Sequence, residues 1–360
     1  MIHIALIDES YPINTRNTKI LNSLATHYGK EAKLSVITWD RSNRYTDDIQ
    51  DYHVYKRDSA YGNKTRKLMN LWGYRRFCHE QIRKLNPDVV IASHWNNLLS
   101  VPRLDRRRQM FIYENLDVPT EAYLLRKASS LLEHWHLHRV DLIIHASRFF
   151  QQLYSQKIPQ IVLENKPAMA TEPQGHTLHH PIRVAYIGAL RYIDMLKHLV
   201  DAVRGEDRIQ LFFHGGGHAE DGLKAYAGNE PNIIFTGYYK YEQITELYRQ
   251  ADVVWAAYPN KDFNVKYAIS NKFHESLAFA VPAIYSEQTC LGDFVEQNGI
   301  GITINPNSAD DIRRRLQELC DGKYDMAKIQ RRLLEFQQEQ TTWESDFRQV
   351  VNAVDHFLHS

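Results

Sequence analysis

Short apolar runs alternate with longer amphipathic stretches throughout the first half of the chain. Runs of this length predict buried β-strands, and apolar residues spaced at helical intervals predict helices that cover them. The alternation is typical of βα units on a parallel sheet. The predicted strands span residues 2–7, 34–39, 88–93, 110–114, 142–146 and 161–164, and the predicted helices span residues 17–28, 64–85 and 121–139.

The same pattern starts again after a break in composition. Residues 166–181 are rich in proline and histidine and show no hydrophobic periodicity, which predicts a linker. The apolar runs that follow mostly stop at Gly or Pro, as parallel strands buried on both faces do. These runs cover residues 183–188, 209–215, 232–237, 251–259, 281–286 and 299–304.

Together these patterns predict two α/β domains followed by a helical tail. A chain of 360 residues suits two domains of roughly 150 to 200 residues each. The amphipathic tail is expected to pack back on the first domain. The predicted boundaries are an N-terminal domain at 1–165, a linker at 166–181, a C-terminal domain at 182–340 and a C-terminal helix within 341–360.

Composition and cysteine usage indicate a globular protein of the cytoplasm. Hydrophobic residues make up 43% of the chain, which suffices for sizeable cores. The three cysteines are scattered and odd in number, so neither a disulfide framework nor a zinc site is expected. The first residues resemble a strand rather than a signal peptide, and no apolar stretch is long enough to span a bilayer. Any membrane contact is therefore expected to be peripheral.

The charge is unevenly distributed although the formal net charge is only +1. Residues 60–110 contain eleven Lys or Arg against three Asp or Glu. A basic segment of this kind, from Lys64 to Arg108, suits peripheral contact with an anionic membrane or another acidic partner. A solvated helix face explains the same charges about equally well.

The most informative stretch for chemistry covers residues 264–304. Here Ser270 is placed to cap a helix, and Glu275 lies about one and a half turns into it. A helix start offers unpaired N–H groups and a positive dipole end, which suit a diphosphate. Lys272 would add a positive charge, and the carboxylate of Glu275 can accept hydrogen bonds from both hydroxyls of a ribose.

This stretch resembles the donor-binding region of GT-B glycosyltransferases, especially glycosyltransferase family 4. The resemblance lies in Asn271-Lys272-Phe273-His274-Glu275, followed by Leu277-Ala278-Phe279-Ala280-Val281-Pro282. The chain departs from the family pattern at Ala280, where Gly is usual, and at Ala268, where many members carry an acidic residue. The resemblance implies a GT-B fold, in which two Rossmann-like domains with parallel sheets face a central cleft.

The resemblance also implies which residues bind the donor. Glu275 would hold the ribose, and the loop from Ser286 to Gly292 would present backbone amides to the diphosphate. Upstream, the loop after the first strand of the second domain and the glycines after the next two strands lie in the family's order. The predicted donor-binding residues are Gly188, Arg191, Asp194, Gly215, Gly216, Gly237, Tyr238, Asn271, Lys272, Glu275, Ser286, Thr289, Cys290 and Leu291.

In the first domain, three polar residues follow predicted strands. His94 follows the strand at 88–93, and Glu114 and Asp117 follow the next one. A carboxylate or histidine at a strand end is suited to take a proton from an acceptor hydroxyl. In retaining members of the family the donor phosphate is thought to take that proton, so these three candidate catalytic residues are assigned to the acceptor side and no base is chosen.

Metal chemistry is not expected, and no cofactor is predicted beyond the nucleotide-sugar substrate. The sequence has no Asp-x-Asp, which favours a metal-independent mechanism. No Gly-x-Gly-x-x-Gly or P-loop follows the first strand, which argues against a nicotinamide dehydrogenase or an NTPase. His134 and His138 have i, i+4 spacing, but no third ligand is apparent, so an interfacial helix explains them better.

The resemblance implies transfer of a hexose-type sugar from a UDP- or GDP-sugar to a lipid-linked or saccharide acceptor. Surface polysaccharide synthesis in the cytoplasm, on the inner face of the plasma membrane, fits this prediction, and retention follows the family. Two alternatives remain open. A nucleotide-sugar epimerase would use the same fold without an acceptor, and a non-catalytic GT-B partner subunit would stabilise an active transferase.

Overall fold

The computed structural model describes residues 1–42, 51–57, 64–119, 123–167 and 178–360. The side chains of residues 64–69 and 123–125 lie outside this description, as does most of the predicted linker, at 168–177. Contacts group the chain into two units. Unit 1 comprises Met1–Asn165 and Trp343–Ser360, and unit 2 comprises Lys166–Thr342.

Unit 1 is built on a seven-stranded sheet in which all neighbouring strands are parallel. The strand order is β3-β2-β1-β4-β5-β6-β7, so the direction of winding reverses between β1 and β4. The strands are β1 (Ile2–Asp8), β2 (Ala32–Asp40), β3 (Tyr52–Lys56), β4 (Val89–Ser93), β5 (Met110–Asn115), β6 (Leu142–His145) and β7 (Gln160–Val162).

Helices flank this sheet. One core joins apolar residues of the strands to α1 (Thr15–Tyr28) and to the last helix of the chain, α12 (Trp343–His359). The helices α2 (Lys64–Leu85) and α3 (Tyr123–Leu137) both pack against the 3₁₀ segment Trp95–Ser100, which in turn packs against β4 and β5.

The C-terminal helix is fixed to α1 by polar as well as apolar contacts. The indole N–H of Trp343 donates a 2.9 Å hydrogen bond to Ser23, and the hydroxyl of Tyr28 donates one of 2.8 Å to Asp355. Its buried residues recur at helical spacing, which is why the last residues of the chain predict a helix.

Unit 2 contains a second parallel sheet, with six strands in the order β10-β9-β8-β11-β12-β13. Its direction of winding reverses between β8 and β11. The strands are β8 (Ile182–Ile187), β9 (Ile209–His214), β10 (Ile233–Gly237), β11 (Val253–Trp255), β12 (Ala283–Ser286) and β13 (Ile302–Ile304).

Eight helices of unit 2 connect and cover these strands within the described residues. They are α4 (Ile193–Val203), α5 (Glu220–Ala227), α6 (Ile244–Arg249), α7 (Phe263–Tyr267), α8 (Asn271–Phe279), α9 (Cys290–Asn298), α10 (Ala309–Cys320) and α11 (Met326–Gln338).

The two parallel sheets confirm the predicted α/β class, and each predicted strand corresponds to an observed one. One observed strand, β3, was not predicted. It lies at a sheet edge, four of its five residues are only half-buried and Lys56 is exposed, so it carries no apolar run. Across the described part of the chain, no helix has both the length and the apolar character that a bilayer crossing requires.

Candidate functional site

In open parallel sheets, ligands bind beyond the carboxyl ends of the strands where the winding direction reverses. In unit 2 this place is the end of β8 beside the end of β11. Glycines bring the neighbouring strand ends together. The N–H of Gly188 donates to the carbonyl of His214 at 2.8 Å, and the N–H of Gly215 donates to that of Gly237 at 2.8 Å. A Cβ at Gly215 would lie 2.1 Å from the Gly188 oxygen, so only glycine fits there.

We call the strand ends joined at Gly188, Gly215 and Gly237 the glycine shelf. An exposed aromatic ring lies beside it. The side chain of Tyr238 is 82% exposed, yet its ring lies so close to Gly216 that an added Cβ would meet it at 2.4 Å. An open aromatic face of this kind is suited to stack on a planar base. The structure thus brings the predicted residues Gly216, Gly237 and Tyr238 together.

A buried cation lies at the reversal point. The ammonium group of Lys272, in the first turn of α8, donates a 2.7 Å hydrogen bond to the hydroxyl of Tyr258, which follows β11. It also lies 4.6 Å from the centre of the Tyr186 ring. Lys272 is only 6% exposed, and no carboxylate of the described chain forms an ion pair with it. A buried cation with no carboxylate at ion-pair distance favours an anionic ligand.

One turn further along α8, Glu275 is held by another tyrosine. The hydroxyl of the fully buried Tyr248 donates a 2.7 Å hydrogen bond to Oε2 of Glu275. Burial raises the pKa of Glu275, against the opposing effects of the Tyr248 hydrogen bond and the Lys272 charge. The arrangement fixes one carboxylate oxygen and is suited to offer the other to ligand hydroxyls.

The start of α9 supplies backbone donors near the end of β12. Thr289 caps this helix by accepting a 2.9 Å hydrogen bond from the N–H of Gly292 and donating one of 2.8 Å to the carbonyl of Ser286. The hydroxyl of Ser286 bonds both the N–H and the carbonyl of Tyr258. These bonds join the loops after β11 and β12, so Ser286 and Thr289 hold the loop before α9 in place. The backbone N–H groups of the first turn, which are suited to bind an anion, belong to Cys290 and Leu291.

The start of α8 differs from the prediction. Ser270 occupies the N-cap position, but its hydroxyl makes no capping hydrogen bond and is buried without a partner. The predicted cap is therefore correct in position and wrong in its hydrogen bond. Asn271, the first residue of this helix, is exposed.

Two further predicted residues follow β8. Arg191 is exposed, and its charge opposes the strong rise that burial causes in the pKa of Tyr258, which places it near the tyrosine that holds Lys272. Asp194 is exposed in the first turn of α4. Arg191 thus lies near Lys272 and Tyr258, whereas Asp194 makes no hydrogen bond or ion pair with Lys272 or Glu275 in the described part of the chain.

The predicted acceptor-side residues lie in unit 1 and differ in environment. His94 is half-buried with a left-handed backbone (φ 75°), and its ring bonds the side chain of Asn96 at 2.9 Å. Asp117 is half-buried in the loop after β5. Glu114 has no exposed surface, because Arg16 donates to Oε1 at 2.6 Å and Ser93 donates to Oε2 at 2.8 Å. This corrects the expectation that Glu114 is open to an acceptor.

The partners of Glu114 were not predicted from the sequence. Arg16 is 3% exposed, and Asn17 beside it bonds both Asp8 (2.7 Å) and Ser93 (2.9 Å). This buried network connects α1 to the ends of β1, β4 and β5, at the reversal point of the unit 1 sheet. The sequence feature that could have indicated this network is the polar run Asn-Thr-Arg-Asn at residues 14–17, where a helix begins in the loop region after a buried strand.

The histidine and acidic side chains do not form a metal site in the described residues. The described residues contain no group of three His, Cys, Asp or Glu side chains arranged to hold a metal. His134 instead bonds the Ser130 carbonyl within its own helix.

Comparisons with known proteins bear on this architecture. Residues 181–321 match the family model described as Glycosyl transferases group 1. The matched residues all lie within unit 2. Among curated proteins, no sequence matches the chain.

Solved structures extend the similarity to the whole chain. Sucrose-phosphate synthase from Thermosynechococcus elongatus is 14% identical, with a TM-score of 0.74 over 100% of both chains. TarM is 10% identical, with a TM-score of 0.70 over 98% of this chain and 99% of its own. Anabaena HepE, in complex with UDP and glucose, is 13% identical, with a TM-score of 0.67 over 99% of this chain and 100% of its own. The chain has the GT-B fold.

Proposed function

We propose that the protein is a glycosyltransferase that moves a hexose-type sugar from a UDP- or GDP-sugar to a lipid-linked or saccharide acceptor. The observation that carries the proposal is the pair Lys272 and Glu275 on α8, each held by a tyrosine hydroxyl at the reversal point of unit 2. A buried cation with no carboxylate of the described residues at ion-pair distance and a half-buried carboxylate suit a molecule with a diphosphate and a sugar diol. The match of this unit to the group 1 glycosyl transferases supports the same assignment.

Each part of the donor then has a partner. Glu275 accepts hydrogen bonds from the ribose hydroxyls, and Tyr238 stacks on the base. Lys272 and the first-turn amides of Cys290 and Leu291 bind the diphosphate. As the glycosidic bond to the diphosphate breaks, these donors stabilise the negative charge on the leaving group without a metal ion.

The acceptor assignment rests on unit 1. His94 and Asp117 are the candidates to contact the acceptor, and Glu114 acts through Arg16 and Ser93 as a positioning residue. A mutant of S. aureus TarM, which shares the fold, is known in complex with Fondaparinux, α-GlcNAc-glycerol and UDP. We place the reaction in surface polysaccharide synthesis, with retention of configuration at the transferred sugar. We also propose peripheral contact of the segment from Lys64 to Arg108 with the membrane.

The test is nucleotide release from UDP- and GDP-sugars with and without a lipid or saccharide acceptor fraction. Release that requires the acceptor supports the proposal. Turnover without an acceptor would indicate an epimerase or a hydrolase, and absence of both turnover and nucleotide binding would indicate a non-catalytic partner. Lys272→Met should abolish acceptor-dependent release, whereas Lys328→Met, at an exposed lysine of unit 2, should leave it unchanged.

A further inference from the structure

Helix α3 exposes a group of apolar residues. Leu131 is 71% exposed, Leu132 45% and Trp135 69%, and Ala128 beside them is exposed as well. Their spacing of i, i+3, i+4 and i+7 forms one stripe along the helix. A helix of a globular unit normally buries such a stripe, so the fold itself does not explain its exposure.

The buried side of α3 carries Leu137 and also a carboxylate. Glu133 is 3% exposed and accepts hydrogen bonds from the hydroxyls of Tyr113, at 2.8 Å, and Tyr154. A buried carboxylate satisfied by two donors fixes which side of the helix faces the sheet. The outward direction of the stripe is therefore determined by the structure.

Helix α2 adds a second exposed tryptophan. Trp72 is 69% exposed. Helices α2 and α3 both pack against the 3₁₀ segment Trp95–Ser100, so they border the same part of unit 1. We call their exposed residues Trp72, Leu131, Leu132 and Trp135 the α2/α3 face. Apart from Met1, every exposed large hydrophobic residue of the described chain that is not a tyrosine lies on these two helices.

Cations border this face. Arg106 donates to the His138 carbonyl at 3.3 Å and to Asp141 at 2.8 Å, which attaches its loop to the end of α3. In the same loop Arg107 and Arg108 are exposed and form no ion pair within the described residues. A surface that combines exposed tryptophans with unpaired arginines matches the headgroup zone of an anionic bilayer, where indole rings lie at the interface and cations meet lipid phosphates.

We propose that α3 is a membrane-docking helix that inserts the stripe Leu131, Leu132 and Trp135 into an anionic phospholipid surface. This inference extends the peripheral contact proposed above to α3, a helix outside that basic segment. It predicts a single orientation, in which the α2/α3 face lies toward the lipid and the Arg107–Arg108 loop contacts the headgroups.

The test is cosedimentation with vesicles of phosphatidylcholine with and without phosphatidylglycerol. The wild-type protein should bind the anionic vesicles at low salt and lose most binding near about 0.5 M salt. Leu131→Glu/Trp135→Glu should weaken partitioning about tenfold or more, whereas the matched pair Leu131→Met/Trp135→Phe should stay within about threefold. Arg107→Ala/Arg108→Ala should weaken binding about tenfold and reduce its salt dependence.

Two controls separate this inference from the alternatives. Both stripe positions are exposed, so the melting temperature of each variant should match the wild type, and Glu275→Ala should bind vesicles normally even where it loses the donor. Quenching by brominated lipid should fall in Trp135→Phe. Equal vesicle binding by the Glu and conservative pairs would overturn the inference, and so would no binding at low salt. A wild-type dimer that the Glu pair converts to a monomer would assign the stripe to a second copy and overturn it too.

Discussion

The hydroxyl of Tyr248 donates a 2.7 Å hydrogen bond to Oε2 of Glu275, and the two residues lie on adjacent helices, α6 and α8, of unit 2. The bond fixes the direction of a half-buried carboxylate. The same helix α8 carries Lys272 three residues earlier, so one short helix presents an anion and a cation to the strand ends of one sheet.

Removal of the tyrosine hydroxyl tests this support. Tyr248→Phe keeps the ring in the core and deletes only the hydrogen bond, so Glu275 loses its fixed direction. We expect donor binding to weaken by about 1 kcal/mol, roughly fivefold in Kd. Titration calorimetry with the cognate nucleotide checks this, and Tyr226→Phe, at an exposed tyrosine of α5, is the control. Unchanged affinity in Tyr248→Phe would mean that Glu275 needs no such support.

The raised pKa of Glu275 gives donor binding a pH dependence. Burial raises this pKa above the ordinary value of 4.5, and only the ionised carboxylate accepts hydrogen bonds from both ribose hydroxyls. As pH falls through the raised pKa, donor affinity should fall. The free energy of unfolding of the nucleotide-free protein should move the opposite way, because a raised pKa in the folded state favours the folded protein at low pH. Glu275→Gln should remove both trends, and identical pH profiles for the two proteins would contradict the assignment.

The glycine shelf gives a matched pair for stability. Gly215 and Gly228 both have positive φ, but a Cβ at Gly215 would meet the Gly188 oxygen, whereas nothing lies within 4 Å of one at Gly228. Gly228→Ala should cost about 1–2 kcal/mol of unfolding free energy from backbone strain alone. Gly215→Ala should cost at least ~2 kcal/mol more and should also weaken the donor site. Denaturant unfolding measures the difference, and equal costs would mean that the strand ends can separate freely.

The sheets could be predicted from sequence because strands buried on both faces are continuous apolar runs, and β3 was missed because it is half-buried. Contacts at the strand ends were harder to predict. Tyr248 and Glu275 are distant in sequence, and their bond depends on how α6 and α8 are rotated. Glu114 follows a strand just as an open catalytic residue would, and its burial depends on Arg16, 98 residues earlier. Periodicity carries no information about such pairs.

The buried ion pair of unit 1 predicts a specific pattern of stability. Glu114→Gln leaves Arg16 buried without a counterion and should cost about 3–5 kcal/mol. In Arg16→Met/Glu114→Gln neither charge remains, so most of the lost stability should return. Chemical denaturation of the two variants and the wild type checks this. A double variant as unstable as the single one would show that the pair is not the reason for the burial of Glu114.

Nucleotide affinity reports on α8 of unit 2, where we place the donor. Calorimetric titration with UDP and GDP should show that the wild-type protein binds at least one of them. Glu275→Ala should weaken that binding at least about tenfold, the loss expected when a charged hydrogen-bond acceptor is removed, while Glu246→Ala, an exposed glutamate on α6, should bind like the wild type. Full affinity in Glu275→Ala, or no binding of either nucleotide by the wild type, would contradict the account.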